Sequence, residues 1–503
     1  MSPGLRFLRW ALASTAARKR TLIGLVALPL ATALVVGIAL GIGAERGGWG
    51  AIALPASIPL AVLGAMLAGR VLLRAAQSVR RVQNALWIAE KVEPLRLEAR
   101  DEAPSRINIV HPAIDLKHFF GGFIAVFNLA RRLIERGHRV RLIAMEDSDL
   151  PRDWRTILVR YEGLGGSLGS LEVAFAGDRT REIEINPQDA LIATHWTAAH
   201  VAAAALGKLQ ADRFLYLIQE YEPFIFPSGS AAALARASYD HPHTALFSTE
   251  LLREWFALQG IGVFAEGRAA GERDSLSFEN AITKVGPVSA ADLSRPGPRR
   301  LLFYARPEEH AARNLFEIGA MALDQAMAAG AFAGWDIAGI GTVELRGTLP
   351  LPRSGATMRL LPRAPQDDYA RLLRDFDVGL ALMYTPHPSL VPIEMAAAGM
   401  TAVTNTFENK DAVALRRIST NLLAAEPSVQ GVAAGLAAAE ARTEQLEERA
   451  RGSQVAWPTT WDEALDDSLL TRLERLLWTE SPPDVPQQLA AVTAPPPPAA
   501  PPG

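Results

Sequence analysis

The stretch from Met383 to Asn405, MYTPHPSLVPIEMAAAGMTAVTN, constrains the fold of this chain more than any other. Apolar residues from Val378 to Met383 make a strand, and a Pro-rich loop follows. A short helix opens near Pro392 and carries Glu394, Gly399 closes it, and a second apolar strand begins. Parallel neighbours need such a crossover, whereas antiparallel ones turn directly, so this is a unit of a parallel sheet and the chain is α/β. Glu394 then stands near a helix N-terminus at the carboxyl edge of the sheet. There the dipole favours a carboxylate, which can accept paired hydrogen bonds from ligand hydroxyls.

The same alternation runs twice along the chain. INIVHP (107–112) is a strand, GFIAVFNLARRLIERG (122–137) an amphipathic helix ended by Gly137, and HRVRLIAM (138–145) the next strand. Further strands are expected at 189–194, 213–218 and 243–247, with helices at 197–209 and 249–259. After the Pro/Gly-containing linker SRPGP (294–298) come strands at 301–307, 335–341, 356–362 and 377–383 and helices at 314–330, 367–376, 428–450 and 461–478. This predicts two Rossmann-like, doubly wound domains, 104–293 and 299–455. A C-terminal helical segment, 456–479, and a disordered Pro/Ala tail, 480–503, complete the chain. A chain of 503 residues exceeds one compact core, in keeping with that division.

Residues 1–100 are of another kind. TLIGLVALPLATALVVGIALGIG (21–43) is apolar and uncharged over about the 20 residues a bilayer crossing needs, and a second apolar run spans 50–69. Arg6, Arg9, Arg18, Lys19 and Arg20 precede the first run, and Arg70, Arg74, Arg80 and Arg81 follow the second. Positive charge at both outer ends places both in the cytoplasm and gives a transmembrane helical hairpin at the inner or plasma membrane, with the α/β domains on the cytoplasmic side. The competing readings are a cleaved signal peptide for the first run and a buried core helix for the second, which Pro55 and Pro59 interrupt. The formal net charge of −3 gives no field that would draw nucleic acid, and the absence of cysteine excludes disulfides and thiolate metal sites.

Ligands of doubly wound sheets bind beyond the carboxyl ends of the strands, so the residues there are the candidates. In HFFGG (118–122), Gly121 and Gly122 let backbone N–H groups approach a phosphate or sugar; this is not a GxGxxG fingerprint, which argues against a nicotinamide enzyme. In FYARPEEHAARNLFEI (303–318), Arg306 leaves a strand end, and Arg313 with Asn314 opens the next helix. Two guanidiniums converging on one cleft suit a diphosphate, unless they pair locally with Glu308 or Glu309. His387 and Ser389, in the loop before Glu394, are further donor-side candidates. In the N-terminal domain ATHWTAAHVA (193–202) places His195 and Trp196 at a strand end, and QEYEPFIFPSGS (219–230) places Glu220, Tyr221 and Glu222 at the next. His195 and Glu222 are candidates for acid–base work on an acceptor hydroxyl. Trp196, Glu220 and Tyr221 are candidates for holding the acceptor; the aromatics equally suit core packing. No HExxH spacing occurs, and no metal or cofactor is expected.

Four strings, YLIQEYEPFIFPSGS (216–230), FYARPEEHAARNLFEI (303–318), TPHPSLVPIEMAAAG (385–399) and TNTFENKD (404–411), together resemble the WsaF-type rhamnosyltransferases of bacterial surface-glycan synthesis. More broadly they resemble GT-B nucleotide-sugar glycosyltransferases. The resemblance spans about residues 106–470. It implies a dTDP-rhamnose donor on the C-terminal domain and a glycan or lipid-linked acceptor on the N-terminal one. It further implies that Arg306, Arg313 and Asn314 hold the diphosphate, Glu394 the donor sugar or ribose, and the Gly121–Gly122 loop the other side of the donor. One departure stands out: the wider family carries two glutamates with seven residues between them, and the first falls here on Pro386. Arg313 takes the place of a lysine usual in that family. The expectation is thus a membrane-anchored hexosyltransferase. The alternatives are a non-catalytic glycan- or nucleotide-binding subunit of a polysaccharide assembly complex, motivated by Pro386, and a soluble-substrate enzyme of the same fold, such as an epimerase.

Overall fold

The computed structural model describes residues 85–478, apart from 117–120, 149, 152, 160, 162, 165–166, 343–344 and 363–365. The two expected membrane spans and the Pro/Ala tail lie outside the described residues; among those described, no helix is long and apolar enough to cross a membrane. The segment up to Glu93 forms a unit of its own, described only for a short helix over 85–91 and the residues after it.

Among the described residues of the remainder, sixteen strands form three sheets. The first nine are β1 (Arg96–Ala99), β2 (Ile107–His111), β3 (Val140–Ala144), β4 (Glu172–Phe175), β5 (Glu182–Ile185), β6 (Ala190–Ala193), β7 (Phe214–Ile218), β8 (His243–Ser248) and β9 (Ser275–Phe278). Seven of these make one sheet in the order β4-β3-β2-β6-β7-β8-β9, and β1 pairs with β5 beside it. Every pairing in that sheet is parallel. The rest are β10 (Arg300–Tyr304), β11 (Asp336–Ile340), β12 (Thr348–Leu351), β13 (Ala356–Leu360), β14 (Val378–Leu380), β15 (Thr401–Asn405) and β16 (Leu422–Ala425), in the order β12-β13-β11-β10-β14-β15-β16. Only β12 runs antiparallel, as an edge hairpin with β13.

Both orders reverse direction once, between β2 and β6 in the first sheet and between β10 and β14 in the second. Those switch points open a crevice beyond the strand ends, which makes each domain Rossmann-like, as the alternation predicts. Central strands are wholly buried because helices cover both faces; FLYLI is apolar throughout, whereas INIVH and TAVTN also bury polar residues, among them Asn108 and Asn405. The helix Gly121–Glu135 buries Ala125, Val126, Leu129 and Leu133, one stripe at helical spacing, against β2 and β3.

Three segments differ from the sequence expectation. The 428–450 helix is two, Val429–Ala441 and Leu446–Gly452, and the 461–478 helix is likewise split into Trp461–Ala464 and Asp467–Leu477. Asp466 caps the last of these by accepting from the Leu469 N–H at 2.7 Å, so the acid that looks internal to one helix starts another. The linker SRPGP does not swing free either. Buried Asp377, just before β14, accepts hydrogen bonds from Arg295 and Arg299 at 3.1 Å each and from the Arg300 N–H at 3.0 Å, pinning the segment to the C-terminal sheet.

The C-terminal segment does not stay with the domain that precedes it. Trp461, Leu465, Leu470, Leu473 and Leu477 join the hydrophobic core of Ile107, Leu129 and Leu133 in the N-terminal domain. Arg136 grips Glu474 through two nitrogens at 2.7 and 2.6 Å, and His138 Nε2 lies 2.8 Å from the same carboxylate. Arg132 reaches Asp467 at 3.1 Å, and Arg131 bonds Asp462. The chain therefore crosses between domains twice, once near 279–299 and once near 453–460. Trp457 Nε1–H donates to the Asn280 carbonyl at 2.8 Å and ties the two crossings together.

Candidate active site

The carboxyl edges of the two sheets meet in a small number of contacts, which bring most of the expected residues together. Beyond β15, the turn 406–411 docks on the N-terminal domain: Glu408 accepts from Trp255 Nε1 at 2.7 Å and from Gln259 Nε2 at 2.9 Å, and Asn409 Nδ2 donates to the Leu251 carbonyl at 2.8 Å. Phe407 lies edge-on to both Phe224 and Tyr384. Beyond β7, Glu220 is buried and its carboxylate lies 3.6 Å from Arg313 Nε of the other domain. Burial raises the Glu220 carboxyl above its usual range, while Arg313, Thr385 and Lys410 pull it back.

Lys410 is the residue at this site that sequence reasoning passed over. Its side chain is fully buried, and Nζ donates to the carbonyls of Met383 at 2.5 Å and His387 at 3.4 Å. Burial depresses it to about 7, partly offset by Glu220. Lys410 therefore pins the loop between β14 and the Leu390–Ala397 helix, and holds a titratable cation at the cleft.

That loop carries His387 and Ser389. Both are buried, and His387 Nδ1 accepts the Ser389 N–H at 3.0 Å. Burial, with Lys410 and Arg313 nearby, lowers His387 to about 3, so it is neutral throughout the physiological range. Ser389 adopts φ 65°, in the left-handed region, to start the helix abruptly. The helix begins at Leu390, two residues before Pro392, so Glu394 sits in its second turn and not at its N-terminus. Helix-dipole stabilisation is thus weaker than expected there, because that effect fades within the first turn. Instead the buried Glu394 carboxylate accepts the Thr283 N–H at 2.9 Å, from the first interdomain crossing, and bonds the Tyr369 hydroxyl; its pKa is nonetheless raised by burial.

Arg306 leaves the end of β10 as expected, and its partners are local. It donates to Glu308 at 3.1 Å and to the Tyr304 hydroxyl at 3.2 Å, with His310 Nε2 at 2.9 Å. Glu308 is itself buried and accepts from Thr342 at 3.0 Å, which fixes the arginine at the switch point of the C-terminal sheet. Arg313 and Asn314 do not open the long helix. They end a separate 3-10 turn, Glu309–Asn314, and Leu315 at φ 50° divides it from the helix Phe316–Ala328. Asn314 is buried and donates to the Ala311 carbonyl at 3.1 Å, so its amide braces the turn while Arg313 faces Glu220.

Gly121 and Gly122 start their helix with no side chain between it and its neighbours. A Cβ on Gly121 would lie 3.6 Å from Leu390 of the opposite domain, and one on Gly122 the same distance from Gln219, whose amide donates to the Gly122 carbonyl. His118 of the same loop lies outside the described residues.

On the N-terminal side, His195 caps the helix Trp196–Ala205, its Nδ1 lying 2.8 Å from the Thr197 hydroxyl, and its Nε2 lies 3.5 Å from Glu222. Glu222 is buried, accepts the Tyr216 hydroxyl at 3.1 Å, and is pushed up to about 8 by burial, with repulsion from Glu220 adding to the shift. It is therefore protonated near neutrality and can donate as well as accept. Trp196 and Tyr221 are not available to an acceptor. Trp196 has no exposed surface and lies edge-on to Phe226 and His200, and Tyr221 is stacked on Tyr239 and packed against Trp255. Core packing, which aromatic spacing suits equally well, accounts for both. Phe224, 41% exposed, is the aromatic of that string that reaches the surface.

Comparison with known proteins places this geometry. Residues 106–250 match the family model of the WsaF N-terminal domain, and residues 299–437 that of the WsaF C-terminal domain, together more than half of the chain. The chain is 32% identical over 340 residues to the O-antigen biosynthesis protein RfbC of Myxococcus xanthus, an alignment that takes in 63% of this chain and 23% of that protein. Among solved structures, HepE from Anabaena in complex with UDP and glucose aligns with 77% of this chain and 99% of its own at 15% identity and a TM-score of 0.49. Sucrose-phosphate synthase from Thermosynechococcus elongatus aligns with 78% and 100% at 13% identity and a TM-score of 0.47. At scores this low, the fold rests on the sheet order itself.

Proposed function

The chain belongs to the WsaF family, and from that premise we propose that it is a glycosyltransferase of surface-polysaccharide synthesis. It moves a sugar, rhamnose from a dTDP donor, onto a glycan or lipid-linked acceptor, and is held by its N-terminal apolar runs at the cytoplasmic face of the inner or plasma membrane. The observation that carries the reading is the convergence of Arg313 and Lys410, from the carboxyl edge of one sheet, upon Glu220 at the carboxyl edge of the other. A diphosphate is the ligand chemistry that such a cationic wall, facing a hydrogen-bonding wall, suits. Arg313 Nε, 3.6 Å from the Glu220 carboxylate, is buried without a hydrogen-bond partner among the described residues, and a phosphate oxygen would supply one.

In that reaction the positive groups stabilise charge that grows on the departing diphosphate, and the cleft holds donor and acceptor in contact. His195 and Glu222 sit where an acceptor hydroxyl would be oriented. The chain spans less than a quarter of the RfbC protein, so that relative's role in O-antigen synthesis is support for the reading and no more. Pro386 favours a second reading, a binding subunit without turnover.

The test is calorimetric binding of a nucleotide-sugar panel to the full chain, with Arg306→Ala and Glu394→Gln beside it. Selective binding of dTDP-rhamnose, weakened in both variants, supports the donor site. Turnover with an acceptor then separates transferase from binding subunit. Failure of every nucleotide and nucleotide sugar to bind the folded chain sinks both.

A further inference from the structure

His111 ends β2 at the switch point of the N-terminal sheet, one strand from Thr194 at the end of β6. Its Nδ1 lies 2.6 Å from the Thr194 hydroxyl oxygen, and that hydroxyl lies 3.1 Å from the Val110 carbonyl. A hydroxyl has one proton to give. The arrangement that satisfies both contacts sends it to the carbonyl, so His111 Nδ1 carries the ring proton and donates it to Thr194. Nε2 is then a bare acceptor. It is buried, and no hydrogen-bond partner meets it among the described residues. Phe123, in the first turn of the Gly121–Glu135 helix, packs edge-on against the imidazole at 4.9 Å and fixes its plane.

A buried acceptor left without a donor is destabilising, and most such groups in folded proteins have a partner. Phenylalanine would fill this position without that cost. Burial also lowers His111 to about 4, so protonation by solvent does not relieve it at neutral pH. The orphan belongs to a residue at the strand end where the sheet order opens a crevice.

We propose that His111 binds ligand directly: its Nε2 accepts a hydrogen bond from a sugar hydroxyl held at the switch point of the N-terminal sheet. The inference rests on the proposed function for the identity of the sugar. The hydroxyl belongs either to the donor sugar or to the acceptor, and the experiment tells them apart.

The full chain is compared with His111→Phe, which keeps the ring and removes the acceptor, and with His111→Gln, which restores one. Nitrogen NMR of labelled imidazoles first reports the tautomer, expected as Nδ1–H with Nε2 bare at pH 7. Calorimetry then uses dTDP, dTDP-L-rhamnose and methyl α-L-rhamnoside. If the hydroxyl is the donor's, His111→Phe binds dTDP as the wild type does and dTDP-L-rhamnose about 2- to 10-fold more weakly, the worth of one hydrogen bond, with partial recovery in His111→Gln. If it is the acceptor's, the weakening falls on methyl α-L-rhamnoside. Equal affinities of wild type and His111→Phe for all three probes, or an Nε2–H in the free chain, overturn the proposal. Failure of the wild type to bind dTDP strikes the proposed function instead, and the rhamnoside arm still judges His111.

Discussion

The two walls of the cleft differ in how they carry charge. The C-terminal wall presents cations: Arg306 fixed by Glu308, Arg313 facing across, and Lys410 buried behind the loop. The N-terminal wall presents groups that burial has pushed towards neutrality: His111, the raised Glu220 and Glu222, with His195 beside the latter. The same physical term, desolvation, acts on both sides. It raises Glu220 and Glu222 and lowers His111 on one wall, and acts likewise on Glu394 and His387 on the other, where the arginines supply positive charge and Lys410 alone is brought close to neutral pH. Such a division suits a substrate with an anionic end and a hydroxylated end.

Lys410→Ala should damage the molecule most. It removes a buried stem and strands the carbonyls of Met383 and His387, for a loss of about 2–4 kcal/mol in chemical denaturation. Wild-type stability in that variant would mean that the cationic wall does not depend on it. Arg313→Ala comes next, with nucleotide-diphosphate affinity falling about 10- to 100-fold, since charge-assisted hydrogen bonds are worth about 1.5–3 kcal/mol. Glu220→Gln should move the same affinity the other way, because it removes the anion that now faces Arg313. Two variants shifting in one direction would break the comparison.

The pH dependence of stability sharpens it further. Glu222, raised from 4.5 to about 8, binds a proton in the folded chain that the unfolded chain has released, so its contribution is lost as pH rises from about 4.5 to 8. Lys410, lowered from 10.5 to about 7, does the opposite: the folded chain has released a proton that the unfolded chain keeps, so its contribution grows from about pH 7 to 10.5 and is lost as pH falls through 7. Each slope is at most about 1.4 kcal/mol per pH unit. Glu222→Gln should flatten the lower limb alone and Lys410→Met the upper alone, as read by denaturation midpoints across pH. Trp196→Phe should have the smallest effect, under about 1.5 kcal/mol of stability and no change in acceptor KM, because its ring touches only protein. A raised KM would return Trp196 to the acceptor site.

The sheets were legible because their strands are apolar runs at helix-separated intervals, and β2, β3, β6, β7 and β8 fall within a residue or two of expectation. The β1–β5 pair was not, since RLEA and EIEI are short, half-polar edge segments that look like loop. Arg306 was picked out by its place at a strand end, and Arg313 and Glu394 by their places on the segments that follow one. The same logic, applied to every strand end, would have flagged His111 after INIV and Lys410 after TAVTN. Lys410 was missed because a single lysine in a polar turn resembles any solvated one, and its burial depends on a partner domain remote in sequence. Trp196 and Tyr221 failed in the opposite sense: an aromatic at a strand end looks the same whether it faces a ligand or the core.

The helix that ends the described chain has a consequence for how the protein is made. Residues 467–477 are synthesised after the whole second domain, yet they complete the hydrophobic core of the first. Until they arrive, the nascent chain carries an uncovered apolar face beside Ile107 and Leu133 throughout translation of the second domain. Folding of the first domain is therefore gated by a segment made after the second, and a copy terminated before residue 467 leaves the first domain sticky.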